Sequence, residues 1–282
     1  MTAPTVRRRQ LGAQLRALRE ELSLTLEDVE KRTGITTAKL SRIENAKSAA
    51  KVPDVELLAD TYGCDAKLRD ALTSVTRDGS KRGWWFNYLD VLAPWVADQI
   101  SLESSASMFR TYEVTLIPGL FQTADYARAV ITRLGVGLSG TDIEARVRVR
   151  RERQSVLTQP NPLEVWAVIH ETALRSQVGG PRTMREQLQN LLDLAALPNV
   201  TLQVMPADAP AHRGMSGPFT ILGFAEGAAL DVVLLEGMLS SEWIEDTERI
   251  TAYDRAFREI TADAWPLEKS LEFIAQQKEK IT

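Results

Sequence analysis

The stretch from Ser23 to Lys47, SLTLEDVEKRTGITTAKLSRIENAK, constrains the fold most, because its apolar spacing describes two short helices joined by a tight glycine turn. Leu26 and Val29 stand three apart before Gly34, and Leu40 and Ile43 repeat that offset after it, so each helix has one side to bury. Gly34 can take the positive φ of a sharp turn, and Ile35 can plug the angle between the helices. Thr36 is placed to cap the second helix. Together these features predict a helix-turn-helix.

The opposite side of the second helix carries the chemistry. Ala38, Ser41, Arg42 and Asn45 fall at i, i+3, i+4 and i+7 and form one outward stripe, flanked by Thr37 and Lys39. Small residues allow close approach to base edges in the major groove, Arg can pair bidentately with guanine, and Ser or Thr can bond several bases. Asn45, Lys47 and the amides at the helix start, beside Thr36, suit phosphates. The plain alternative is a helical hairpin with a solvated polar face. Cap, turn glycine, buried pattern and basic stripe agree instead on double-stranded DNA as the partner, bound by Thr36, Thr37, Ala38, Lys39, Ser41, Arg42, Asn45 and Lys47.

Residues 7–75 resemble the lambda-repressor and Cro type of DNA-binding domain, the XRE family, and GITTAKLSRIENAK matches its recognition-helix signature. The resemblance implies that Thr37, Ala38, Ser41 and Arg42 face bases while Asn45 and Lys47 approach the backbone. Leu26 departs from the polar residue frequent at its position.

At 282 residues the chain exceeds a usual single domain. Residues 1–78 are expected to form the DNA-binding domain, 79–83 a linker (with Gly79, Ser80 and Gly83 breaking periodicity), and 84–282 a regulatory domain. Charge follows that division: residues 1–82 hold 16 Lys and Arg against 12 Asp and Glu, net +4, whereas the remainder is net −8. A basic module suits phosphate, and the acidic bulk would be repelled by it. Cys64 is the only cysteine, which excludes an intrachain disulfide and a cysteine metal cluster. The run Arg7-Arg8-Arg9 precedes an amphipathic helix rather than an apolar segment, and no stretch is apolar enough to span a bilayer, so a cytoplasmic place is expected.

Leu11, Leu15, Leu18 and Leu22 predict a ridge on a first helix. Val55, Leu58, Ala59 and Tyr62, then Leu68, Ala71, Leu72 and Val75, predict a fourth and fifth, with Pro53 and Gly63 at the ends of the fourth. Beyond the linker, Trp84-Trp85-Phe86-Asn87-Tyr88 is expected to seat a second core rather than a ligand. Helices are expected through Val96, over Leu102 to Phe109, from Thr123 to Leu134, and from Asp142 to Leu157. The last carries Arg146, Arg148, Arg150, Arg151 and Arg153. A solvated face paired with Glu144 and Glu152 is expected, with docking of an acidic partner or a subunit interface as the alternative. LEVWAVI, VTLQV, PFTILGF and DVVLLE read as strands, with Thr201 and Gln203 outward. Helices follow at Pro181 to Ala196, Asp246 to Thr261 and Leu267 to Lys280. The fold class is therefore mainly α with a mixed α+β second domain, a five-helix lambda-repressor-like module ahead of an α+β regulatory domain; the strand order is not given.

Trp84-Trp85, RTYEVTLIPGLFQTADYARAVI, RVRRERQSVL, VGGPRTMREQLQNLLDLAALPNVTLQVMP and GPFTIL resemble the carboxy-terminal domain of actinobacterial XRE-type regulators, including WhiJ-like and antitoxin-like proteins. That resemblance implies no enzymatic activity and control by a small partner protein. Leu234-Leu235 and Gly227-Ala228-Ala229 depart from the common pattern. Catalytic patterns are weak: Gly135 to Gly140 fits G-x-G-x-x-G but follows a helix. His170 and His212 lack metal-ligand spacing, and no nucleophile elbow surrounds Ser216 near His212 and Asp208. A homodimeric transcriptional regulator without cofactor or metal is expected, with a partner-sensing second domain. The alternatives are a ligand sensor built around Trp84 to Tyr88 and Tyr112 to Gln122, or an antitoxin-like module that sequesters a partner.

Overall fold

The computed structural model describes residues 5–78, 83–224, 230–237 and 241–281, so the linker expected at 79–83 lies outside the described residues except for Gly83. The chain divides into two compact units, Met1–Gly83 with Phe224–Asp231, and Trp84–Gly223 with Val232–Thr282.

The first unit holds α1 (Val6–Glu21), α2 (Leu26–Thr33), α3 (Thr37–Glu44), α4 (Val52–Thr61) and α5 (Ala66–Asp78). Short polar side chains start these helices by accepting amides that lack an intrahelical partner. Thr5 accepts from the Arg8 amide, Thr25 and Asp28 bond reciprocally in a capping box, and Thr36 accepts from the Lys39 amide. Pro53 sits in the first turn of α4, and Gly63 follows its end at φ +70°. Val29, Leu40, Ile43, Val55, Leu58, Ala71 and Leu72 are buried. The ridge expected on α1 is shorter than its leucines suggest. Leu11 and Leu15 are buried, but the helix ends at Glu21 and Ser23 turns at φ +53°, leaving Leu22 48% exposed.

The second unit is a mixed sheet with helices. In chain order it contains α6 (Pro94–Glu103), β1 (Met108–Glu113), α7 (Ala124–Leu134), α8 (Gly140–Arg153), β2 (Glu164–His170), α9 (Glu171–Arg175), α10 (Pro181–Leu194) and β3 (Val200–Met205). It continues with β4 (Phe219–Gly223), β5 (Val232–Glu236), β6 (Ser241–Ile244), α11 (Thr247–Asp263) and α12 (Leu267–Lys280). The sheet runs β3-β2-β1-β4-β5-β6, parallel across β3, β2 and β1 and antiparallel from β1 onward.

Period two sorts β1 between the faces of the sheet. Arg110 and Tyr112 point toward α11, where Arg110 pairs with Asp254 and Tyr112 joins Phe219, Ile221, Val233, Phe257 and Ile260 in a buried cluster. Phe109, Thr111 and Glu113 take the other face, where Thr111 and Thr220 join hydroxyls at 2.9 Å.

Four expectations for this unit are corrected. The helix expected from Leu102 to Phe109 stops at Glu103, and Met108 opens the central strand. Trp84 to Tyr88 form a 3-10 turn with no buried residue, in which Trp84 meets Trp85 and Tyr88 edge to face at 5.9 and 6.2 Å; the rings satisfy one another instead of seating a core. Gln203, expected outward, is buried because it accepts from Trp166 Nε1 at 2.8 Å and donates to the Trp265 carbonyl at 3.0 Å. The helix expected to start at Asp142 is capped by Ser139, with Asp142 as the third residue of its capping box.

Candidate nucleic-acid interface

Gly34 takes φ +73° after α2, its N–H donating to the Glu30 carbonyl at 2.8 Å, and this turn sets α3 across α2. Ile35 is buried directly after it. Leu40 and Ile43 anchor the inward side of α3, which leaves Ala38, Arg42 and Asn45 exposed on the outward side with Ser41 half-buried between them. Arg42 Nε donates to the Ala38 carbonyl at 3.2 Å, and Asn45 Nδ2 donates to the Ser41 carbonyl at 2.7 Å, so both side chains lie along the ridge.

The flanking residues are placed differently. Lys39 Nζ donates to Asp54 at 2.8 Å, and the Thr37 amide donates to Glu30 Oε2 at 3.0 Å. With the Lys39 amide bonded to Thr36, two amides at the start of α3 are engaged within the unit. At the other end Ala46 stands at φ +55°. Its amide returns to Ile43 and that of Lys47 to Arg42, at 2.9 and 2.8 Å. Lys47, which follows this turn, is exposed.

Sequence reasoning passed over the residues that hold this helix. Arg19 Nε and Nη2 donate to the two carboxylate oxygens of Glu44 at 2.8 Å each, and Nη1 donates to the Leu24 carbonyl at 2.8 Å. Both side chains are buried or nearly so, and the bond to Glu44 raises the Arg19 pKa above the ordinary guanidinium value. A signal was present: Leu40, Ile43 and Glu44 fall at i, i+3 and i+4, so Glu44 belongs to the inward side. Gly12 completes the contact, since a Cβ there would lie 2.6 Å from the Ile43 carbonyl oxygen and 2.7 Å from that of Glu44.

A second polar site was missed in the sheet unit. Arg146, Arg150 and Arg153 do share one side of α8, but that side faces inward, contrary to the solvated face expected. Arg153 is buried and donates twice to Glu103 at 2.9 and 2.6 Å, Arg150 Nη1 donates to Gln122 Oε1 at 2.7 Å, and Arg146 Nε donates to the Val91 carbonyl at 2.7 Å. Of the expected acidic partners, Glu144 pairs with Arg128 at 2.6 Å. Burial and the neighbouring Arg153 bring the Arg150 pKa down to about 10. Glu113 lines the same cavity and is pushed up to about 8 by burial and by Glu236. The cavity takes Glu113, Thr115 to Gly119 and Gln122 from the Tyr112 to Gln122 segment and no residue from Trp84 to Tyr88.

The histidines have local roles. His170 Nδ1 accepts from the Thr172 amide at 3.2 Å and His212 Nδ1 from the Gly214 amide at 3.1 Å. Among the described residues, no group of three or more His, Cys, Asp or Glu is placed to hold a metal ion, and no helix is long and apolar enough to cross a membrane.

The turn at Gly34, the seated α3 and its exposed ridge define the DNA-binding module of a transcription regulator, and residues 10–72 match the family described as a helix-turn-helix domain. Residues 96–276 match the family described as a domain of unknown function, DUF5753, and the chain belongs to that family. Comparison with curated proteins and with solved structures found no match.

Proposed function

We propose that this protein is a sequence-specific transcriptional regulator that binds its operator as a homodimer and whose second unit receives the controlling signal. The exposed ridge of Ala38, Ser41, Arg42 and Asn45, opposite the buried Leu40 and Ile43, carries the DNA-reading part. One recognition helix covers only a few base pairs, so two copies set about one helical turn apart, about 34 Å, supply the specificity a genome demands. Selection of duplexes from a random pool by the full chain, with the stoichiometry of the selected complex, tests this. Two protein copies on a two-fold sequence are expected, and a single copy on an asymmetric sequence would overturn the dimer.

For the input, the resemblance to WhiJ-like regulators supports a small partner protein, either as a signal or sequestered in the antitoxin-like manner. The cavity of about 470 Å3 in the second unit favours a small molecule instead, since it combines apolar walls with a few charged side chains. No catalytic step is assigned to this unit. Purification from the native host separates the two inputs: a stoichiometric small protein supports the first and a bound metabolite the second.

A further inference from the structure

The first unit is not built from one stretch of chain. Phe224–Asp231, the connection between β4 and β5, belongs to it, although both strands belong to the second. Among the described residues of that connection, Phe224 and Leu230 are buried, and they meet the first turns of α1. The Arg7 guanidinium lies 4.2 Å from the centroid of the Phe224 ring, and Gln10 Nε2 donates to the Leu230 carbonyl at 2.7 Å. Arginine and glutamine ordinarily mark solvent, yet Arg7 and Gln10 are each 5% exposed. Gly12 and Arg19, two turns apart, meet α3 from one side of α1, while Val6 and Gln10, at i and i+4, are buried on another. The ends of the connection are held as well. Leu222 pairs with Val232 in the ladder, and the Phe224 amide donates to Asp231 Oδ1 at 3.2 Å, closing the connection at its base.

We infer that Phe224 and Leu230 are positioning residues for DNA binding, a strap that holds α1 and, through the Gly12 and Arg19 contacts, the recognition helix α3. The strap is joined covalently to β4 at Gly223 and to β5 at Val232. A signal that alters the pairing of these two strands is therefore felt at α1, by a covalent route separate from the chain at Gly83. Linkage makes the effect reciprocal, so that DNA on α3 tightens β4 and β5. The bearing of the strap on DNA rests on the regulator reading given above.

The test is hydrogen exchange of the full chain, together with its affinity for a duplex selected from a random pool. Phe224→Ala is expected to speed exchange of the α1 and α3 amides by about tenfold or more while β1 to β3 keep their protection, and to weaken binding of the selected duplex by about tenfold. Phe224→Tyr, which keeps the ring under Arg7, is expected to restore both. Gln10→Ala substitutes only α1 and is expected to speed exchange at the ends of β4 and β5, which a role confined to helix stability would leave untouched. It decides the matter where Phe224→Ala also disturbs the sheet. Unchanged exchange of α1 and α3 in Phe224→Ala, or of β4 and β5 in Gln10→Ala, would overturn the strap and leave DNA reading standing. Exchange altered as expected, in a chain that prefers no duplex over another, would keep the strap and overturn its bearing on DNA.

Discussion

Arg19 on α1 and Glu44 at the end of α3 are joined by two parallel hydrogen bonds of 2.8 Å, which clamp the recognition helix to the first helix of the unit. The clamp acts on function through position: α3 can present Ser41 and Arg42 to a groove only while its end is fixed. Removing one partner of a buried pair leaves the other charge without compensation. Glu44→Ala is therefore expected to cost about 3 kcal/mol, whereas replacing both partners by apolar residues, Arg19→Met with Glu44→Leu, restores most of it. Hydrogen exchange of the α3 amides in the full chain reads both. Equal protection in wild type and Glu44→Ala would contradict the clamp.

Gly12 tests the same contact from the backbone side. A methyl there meets two carbonyl oxygens at 2.6 and 2.7 Å, and neither can rotate away as a side chain could. Helix propensity favours alanine by about 1 kcal/mol, and the forced displacement costs about 1 to 3. Gly12→Ala is accordingly expected to lower stability and to weaken DNA binding together. A variant that is more stable and binds normally would show that α1 and α3 do not pack this closely.

Glu113 gives the second unit a pH signature. Its carboxyl is raised from the ordinary 4.5 to about 8, so the folded state holds the proton more tightly than the unfolded chain. The stability it contributes is complete below pH 4.5 and is lost as pH rises through about 8, and Glu236, raised by burial, acts in the same direction. Thermal unfolding of the second unit is expected to move to lower temperature between about pH 5 and about pH 8.5, and Glu113→Gln is expected to flatten that decline. An unchanged slope in the variant would refute the raised carboxyl.

Local chemistry made the DNA-binding half legible. Thr25, Gly34 and Thr36 punctuate α2 and α3 by rules that act within four residues, and Leu40 with Ile43 mark the buried side. What escaped was charge facing inward. Arg19, Glu44, Arg150 and Arg153 carry residue types that ordinarily mark solvent, and their partners lie from 25 to 50 residues away. The strand Met108–Glu113 was hidden for the same reason. Arg110 and Glu113 break its apolar pattern because one pairs with Asp254 and the other lines a cavity, and neither partner is visible in the local sequence. The aromatic run at Trp84 misled in the opposite sense, since its rings pack on one another in a turn that buries none of its residues.

The central claim is that the ridge through Ser41 and Arg42 reads bases, while Lys47 meets the backbone. The direct measurement is the affinity of full-length wild type, Arg42→Ala and Lys47→Ala for a selected operator and for random duplex at the same moderate salt. Arg42→Ala is expected to lose about 1 to 3 kcal/mol on the operator and nothing on random duplex, and Lys47→Ala to lose equally on both. Equal losses for Arg42→Ala on the two duplexes, or a wild type that prefers no duplex over another, would contradict it.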